Sequence, residues 1–126
     1  MGFVNPTYDR FNPANDITLV AAKAVTGRRF VSFTGTESRG LAQVKHAESG
    51  GVAAGVAAYD AEVNNLVGLR RGNRVITVEA EGQLTVGAPV QVGDAGKAVA
   101  HTDGHIVGTV YAATKYDSTY YVAINL

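Results

Sequence analysis

Cysteine is absent from this chain, which excludes both a disulfide framework and a thiol nucleophile. Tryptophan is absent too, and with one methionine and four phenylalanines the 46% apolar share leans on alanine and valine. A core of such residues consists of many small contacts, which neighbouring subunits are well suited to complete. Nor is there a surplus of one charge: eleven basic residues face eleven acidic ones, for a formal net charge of zero. Binding dominated by phosphates needs an excess of Lys and Arg, so no nucleic-acid partner is expected. Near-neutrality also lowers the repulsion between identical chains and suits a protein that assembles. The longest weakly polar run, residues 52–59, is far shorter than the ~20 residues a helix needs to cross a bilayer. No basic segment followed by an apolar one opens the chain, and Pro6 stands where a myristoylation signal carries Ser or Thr. These absences predict a soluble protein without a secretory leader or a membrane partner.

What the sequence does hold is alternation and turns. Glycine occupies 15 of 126 positions, about twice the usual ~7%. Residues 87–112 read as three β segments separated by Asp94-Ala95-Gly96 and Thr102-Asp103-Gly104, with Val90 and Val92 alternating around Gln91. A similar phrase runs through residues 27–59: Gly55-Val56-Ala57 stands where Gly108-Thr109-Val110 stands later, and His46 where His101 stands. One further strand follows each copy, at 65–70 and at 119–126, which reads as an internal duplication. Residues 65–80 read as a hairpin turning at Gly72-Asn73, with Ile76 and Val78 inward and Thr77 and Glu79 outward. The stretch 17–25 reads as a strand between turns, and 34–40 as a polar surface loop. No segment keeps a 3.6-residue period over three turns. The fold class is therefore all-β, a small antiparallel β-barrel or sandwich with internal duplication. One domain is expected over residues 17–126, preceded by an extended N-terminal arm over residues 1–16.

Asn5-Pro6 and Asn12-Pro13 bias that arm away from helix, yet it carries Phe3, Val4, Tyr8 and Phe11. Such residues either fold back on their own barrel or lie on a neighbouring subunit or a larger surface, ordering when bound. Phe3, Tyr8, Arg10 and Phe11 are the candidate partner-binding residues.

Catalytic chemistry finds little support. His101, Asp103 and His105 could approach a metal, with His46 as a fourth ligand if the duplicated halves bring it close. The Asp103-Gly104 turn instead splits the two histidines across a hairpin, and structural roles are the expectation. Glu79 and Glu81 resemble an acid/base pair but read better as exposed strand residues. The clusters Arg28-Arg29 and Arg70-Arg71-Arg74 read as solvated strand ends or inter-subunit ion pairs. Residues 93–97, GDAGK, lack the spacing and the following helix of a phosphate loop. G-x-S-x-G and H-E-x-x-H are both missing. Tyr116, Tyr120 and Tyr121 are packing residues that would serve as anchors at an interface. No catalytic, metal or cofactor site is assigned, and no enzyme activity is expected.

The overall layout resembles the capsid cement, or head decoration, proteins of tailed bacteriophages. The resemblance runs over nearly the whole chain: AVTGRRFV at 24–31, GVAAGVAAYDA at 51–61, RRG at 70–72 leading to VITV at 75–78, VGAPVQVG at 86–93, GKAV at 96–99, VGTV at 107–110 and YVAI at 121–124. It implies a small β-barrel, often a homotrimer, that binds the major capsid protein on the outer surface of the virion. It further implies manufacture in the host cytoplasm and placement at three-fold and quasi-three-fold positions, where the protein stabilises the shell. A carbohydrate-binding β module, displayed on a virion or secreted, is the alternative. The missing tryptophan weighs against it, since sugar platforms favour that side chain.

Overall fold

Among the described residues, ten strands close into two five-stranded barrels that repeat one topology. The computed structural model describes residues 4–5, 16–72 and 74–125. The first barrel comprises β1 (Ile17–Ala21), β2 (Phe30–Ser38), β3 (Leu41–His46), β4 (Gly55–Ala57) and β5 (Leu66–Arg70). Its order is β1-β3-β2-β4-β5, and β5 returns to β1. The second comprises β6 (Val75–Ala80), β7 (Pro89–Val92), β8 (Ala98–Ala100), β9 (Gly108–Tyr116) and β10 (Thr119–Asn125). Its order, β6-β8-β7-β9-β10 with β10 returning to β6, is the same path five strands later. The duplication is thus present in the topology. Each copy is longer than the sequence phrase that revealed it, because β1 and β6 each open a copy and pair with its last strand.

Three expectations need correction. The barrels are mixed rather than antiparallel: β1 runs parallel to β3, and β6 to β8. Ring parity is the reason, since five strands cannot alternate direction all the way round a closed circle. Residues 65–80 are not a hairpin. Strand β5 pairs with β1 and β4, and β6 with β10 and, at Ala80, with β8, so the two strands belong to different barrels and do not pair with each other. The polar stretch 34–40 is not a loop either: β2 continues to Ser38, with a register shift between Phe33 and Glu37, and turns into β3 at Arg39-Gly40.

Side-chain alternation along β2 and β4 ties the barrels together. Val31 and Ala57 point into the first core, beside Leu19, Val44, Val67 and Leu69. Their neighbours Phe30 and Val56 point the other way, and with Ala47 they enter the second core beside Val78, Val90, Val92, Val122 and Ile124. Phe30 is fully buried there. Backbone and charge follow the same seam. The Glu79 N–H donates to the Arg28 carbonyl at 2.8 Å, and the Glu79 carboxylate pairs with Arg29 at 3.2 Å and Lys97 at 3.4 Å. Gly96, at φ +77°, packs so closely that a Cβ would sit 2.5 Å from the Phe30 carbonyl oxygen.

Because Phe30 belongs to the first barrel by chain and to the second by packing, one cooperative unfolding transition is the expected outcome. Phe30→Ala should cost about 3–5 kcal/mol, read from urea unfolding by circular dichroism. Two separate transitions in the parent protein would contradict this account.

Candidate functional site

The second barrel carries one strand that outruns its neighbours. Strand β9 pairs with β10 along nearly its whole length, but with β7 only at Gly108 and Thr109. From Tyr111 to Tyr116 every residue is exposed, including Tyr111 at 66% and Tyr116 at 70%. Tyr111 falls where the β9–β10 register shifts, opposite the Ala123/Ile124 step. Asp117, at φ +53°, turns the chain into β10. The result is a two-stranded ribbon whose outer edge is unpaired among the described residues. Sequence reading ended this strand at Ala112. The signal for the rest was the unbroken β-compatible run to Tyr116 ahead of the Asp117-Ser118 turn.

The outer face of this ribbon and of β6 forms one wall of a groove of about 1350 Å³. Thr77, Ala112, Thr114, Tyr116, Tyr121 and Ala123 line that wall, and Arg28, Val56–Ala58, Arg70 and Asp16 come from the first barrel. The Arg28 guanidinium lies 5.3 Å from the Tyr121 ring centre, an attraction of the cation for the ring face. Asp16 pairs with Arg74 at 2.6 Å and Arg70 at 3.3 Å. Burial pushes its carboxyl pKa up, but hydrogen bonds from Arg74 and Arg70, with their positive charges, outweigh burial and hold it below 3.8. Arg70 and Arg74 thus share a partner across the chain in Asp16.

The other residues singled out by sequence have structural places. Thr102, Asp103, Gly104 and His105 lie in an irregular loop between β8 and β9. Gln91, 7% exposed, organises that loop: its Oε1 accepts the Thr102 and Gly104 N–H groups, each at 2.9 Å. His101 Nε2 donates to the Gly104 carbonyl at 2.9 Å. Gly104 packs on Gly50, where a Cβ would lie 2.6 Å from the Gly50 Cα. His46 serves the first barrel, its Nε2 accepting the Thr26 N–H at 2.9 Å. Among the described residues no group of three or more His, Cys, Asp or Glu could hold a metal ion. Glu79 and Glu81 are not an exposed pair: Glu79 sits in the seam between barrels, and Glu81 Oε1 accepts the Asp94 N–H at 3.0 Å. The arm residues Phe3, Tyr8, Arg10 and Phe11 lie outside the described residues.

This fold is similar to the crystal structure of the head fiber gp8.5 N base in bacteriophage phi29. The TM-score is 0.68 at 20% identity, covering 86% of this chain and 92% of that one. No protein-family model and no curated protein sequence matches the chain.

One titration is built into the first barrel. Burial, and then the charge of Arg29, hold the His46 pKa below 6.5, and only the neutral ring can accept the Thr26 N–H. Below pH 6.5 the unfolded chain therefore takes up a proton that the folded chain refuses, and stability falls as pH drops toward the folded pKa. Above that range this group adds no pH dependence. His46→Gln keeps an acceptor for Thr26 and should flatten the fall in stability below pH 6.5, measured by urea titration. An unchanged slope would remove His46 from the account.

Proposed function

We propose that this protein is a structural component of a tailed-phage virion, a decoration (cement) protein on the outer surface of the head. The observation that carries the reading is the fold shared with a phage head fiber base, over 86% of this chain and 92% of that one. The chain's own chemistry agrees with it. Buried polar groups are used to hold loops and the seam, and charge sums to zero.

In this reading the protein assembles in the host cytoplasm onto the major capsid protein, as a homotrimer at three-fold and quasi-three-fold positions. A ligand that recognises only the assembled lattice opposes disassembly by mass action. Three copies that engage several shell subunits together gain retention without any single strong contact. Phe3, Tyr8, Arg10 and Phe11 supply arm contacts to the capsid or to an adjacent copy. The function is adhesive, and no reaction is assigned to it.

Co-sedimentation with expanded, empty heads of the cognate phage tests the proposal. Saturable retention, together with heads that resist heat-induced disassembly better when coated, is the expected result. Protein that stays in the supernatant at micromolar concentrations overturns it. Removing residues 1–15 keeps Asp16 for its ion pairs with Arg70 and Arg74. This truncation should weaken retention about tenfold or more, a change of roughly 1.4 kcal/mol. Unchanged retention would take the arm out of the mechanism.

A further inference from the structure

We infer that the tip of the β9–β10 ribbon, Tyr116-Asp117, docks in a pocket at the seam between the two barrels of a neighbouring copy. The inference deepens the proposed self-assembly and rests on that part of the reading, while needing no capsid.

The pocket is a product of the duplication. Residues 52–54 lead into β4 and residues 105–107 into β9, the equivalent strands of the two barrels. They enter in the same way: the Ala54 N–H donates to the Val31 carbonyl at 2.8 Å, and the Val107 N–H to the Val90 carbonyl at 2.9 Å. The two segments meet across a pocket of about 290 Å³, with Phe30 among its lining residues. Its walls are tied together, since the His105 N–H donates to the Gly50 carbonyl at 3.1 Å and Gly104 packs on Gly50. Val52 and Ile106 line it and stand 61% and 59% exposed, so the chain leaves this apolar mouth uncovered. The volume sits at the lower limit of the ~300–1,000 Å³ of small-molecule sites and accommodates one large side chain. Arg71 also lines the pocket and is exposed. Unlike Arg29, Arg70 and Arg74, it has no carboxylate partner among the described residues. The complement of this site is a large apolar group next to an anion.

The chain carries such a group where it protrudes. Tyr116, 70% exposed, ends β9, and Asp117, at φ +53°, makes the turn into β10. Asp117 is exposed and has no cationic partner among the described residues. Lys115 does not offset it, because the ammonium lies 5.2 Å from the Tyr120 ring centre on the same ribbon. Tyr59 also stands beside an acid, but the Asp60 carboxylate is engaged, accepting the Gly27 N–H at 2.8 Å. Val63 follows Glu62 in the connection from β4 to β5, not at the end of a ribbon. The recipient is a neighbour because the pocket lies at the start of β9 and the tip at its end. This nine-residue strand holds them roughly 25 Å apart within one chain. A buried tyrosine anchor with a charge pair beside it gives such a contact both affinity and register. A tip passed from each copy to the next is a head-to-tail contact, which closes into a ring when the rotation permits.

Charge reversal tests the contact. Asp117→Arg and Arg71→Glu are each compared with the parent by sedimentation velocity, their folds checked by circular dichroism. Each reversal sets like charges against one another and should weaken self-association about tenfold or more. The double reversal brings opposite charges together again and should restore it. In parallel, Ser118→Cys and Val52→Cys are placed in separate chains, co-expressed and treated with a short bis-maleimide. Both positions are exposed and the chain has no native cysteine, so a covalent dimer joining the two variants is the expected product. The cross-link decides the matter should either reversal fail to fold. A parent that stays monomeric at submillimolar concentrations removes self-association and this contact with it. An associating parent that the reversals leave unchanged, a double reversal that stays weak, or absence of the mixed dimer overturns this contact alone. Heads are absent from both measurements. A failure here would therefore leave shell retention standing, and a failure of shell retention would leave the tip contact standing.

Discussion

The architecture depends on the two-residue period of β2. Because successive side chains leave opposite faces of a strand, Val31 packs into the first barrel while Phe30 packs into the second. Strand β4 repeats the arrangement with Ala57 and Val56. A single sheet face therefore serves as the outside of one barrel and the lid of the other. Both cores use that shared wall, so a chain poor in large side chains fills two small interiors from the two faces of the same strands. Polar groups then follow the apolar seam: Glu79 is held between Arg29 and Lys97, where partial burial makes their attraction stronger than at a fully wet surface.

Much of this was legible from residue order. Alternation placed Ile76 and Val78 inward and Thr77 outward, as observed. The matching phrases Gly55-Val56-Ala57 and Gly108-Thr109-Val110 do occupy equivalent strands, β4 and β9. What could not be read was pairing. Residues 65–80 have the local chemistry of a hairpin, but β5 closes the first barrel on β1 and β6 the second on β10, and that demand is invisible within a short window. The parallel pairs have the same origin, in the count of strands per ring. Gln91 was seen only as an interruption between valines. Its burial follows from a loop eleven to thirteen residues further on that needs an acceptor for its N–H groups.

The candidate surface was less legible than the fold, for a related reason. Interface residues carry no local signature when their chemistry is backbone N–H and C=O on a free edge. Aromatic residues in the arm attracted attention by composition, whereas the β9 edge becomes visible only once β7 is known to stop short of it. Exposed Tyr116 looked like a packing residue because tyrosine in a strand usually is one, and exposed Tyr111 was not singled out. Their exposure follows from strand length, and strand length depends on where the neighbour ends.

Duplication offers a physical account of why the surface lies where it does. Both copies must keep the alternating small apolar residues and the tight turns that close a five-stranded ring, so the barrels themselves leave little room for divergence. Extra length beyond the ring is free of that constraint. The first copy extends its β2–β3 hairpin through exposed Thr36 and Glu37, and the second extends β9–β10 through Tyr116. These extensions fall on non-equivalent hairpins, since β2–β3 corresponds to β7–β8 and β9–β10 to β4–β5. One topology thus presents two different ribbons, the first polar and the second rich in tyrosine and alanine. Contacts that distinguish one partner from another belong on such protrusions, where a substitution alters a surface without disturbing the shared wall at Phe30.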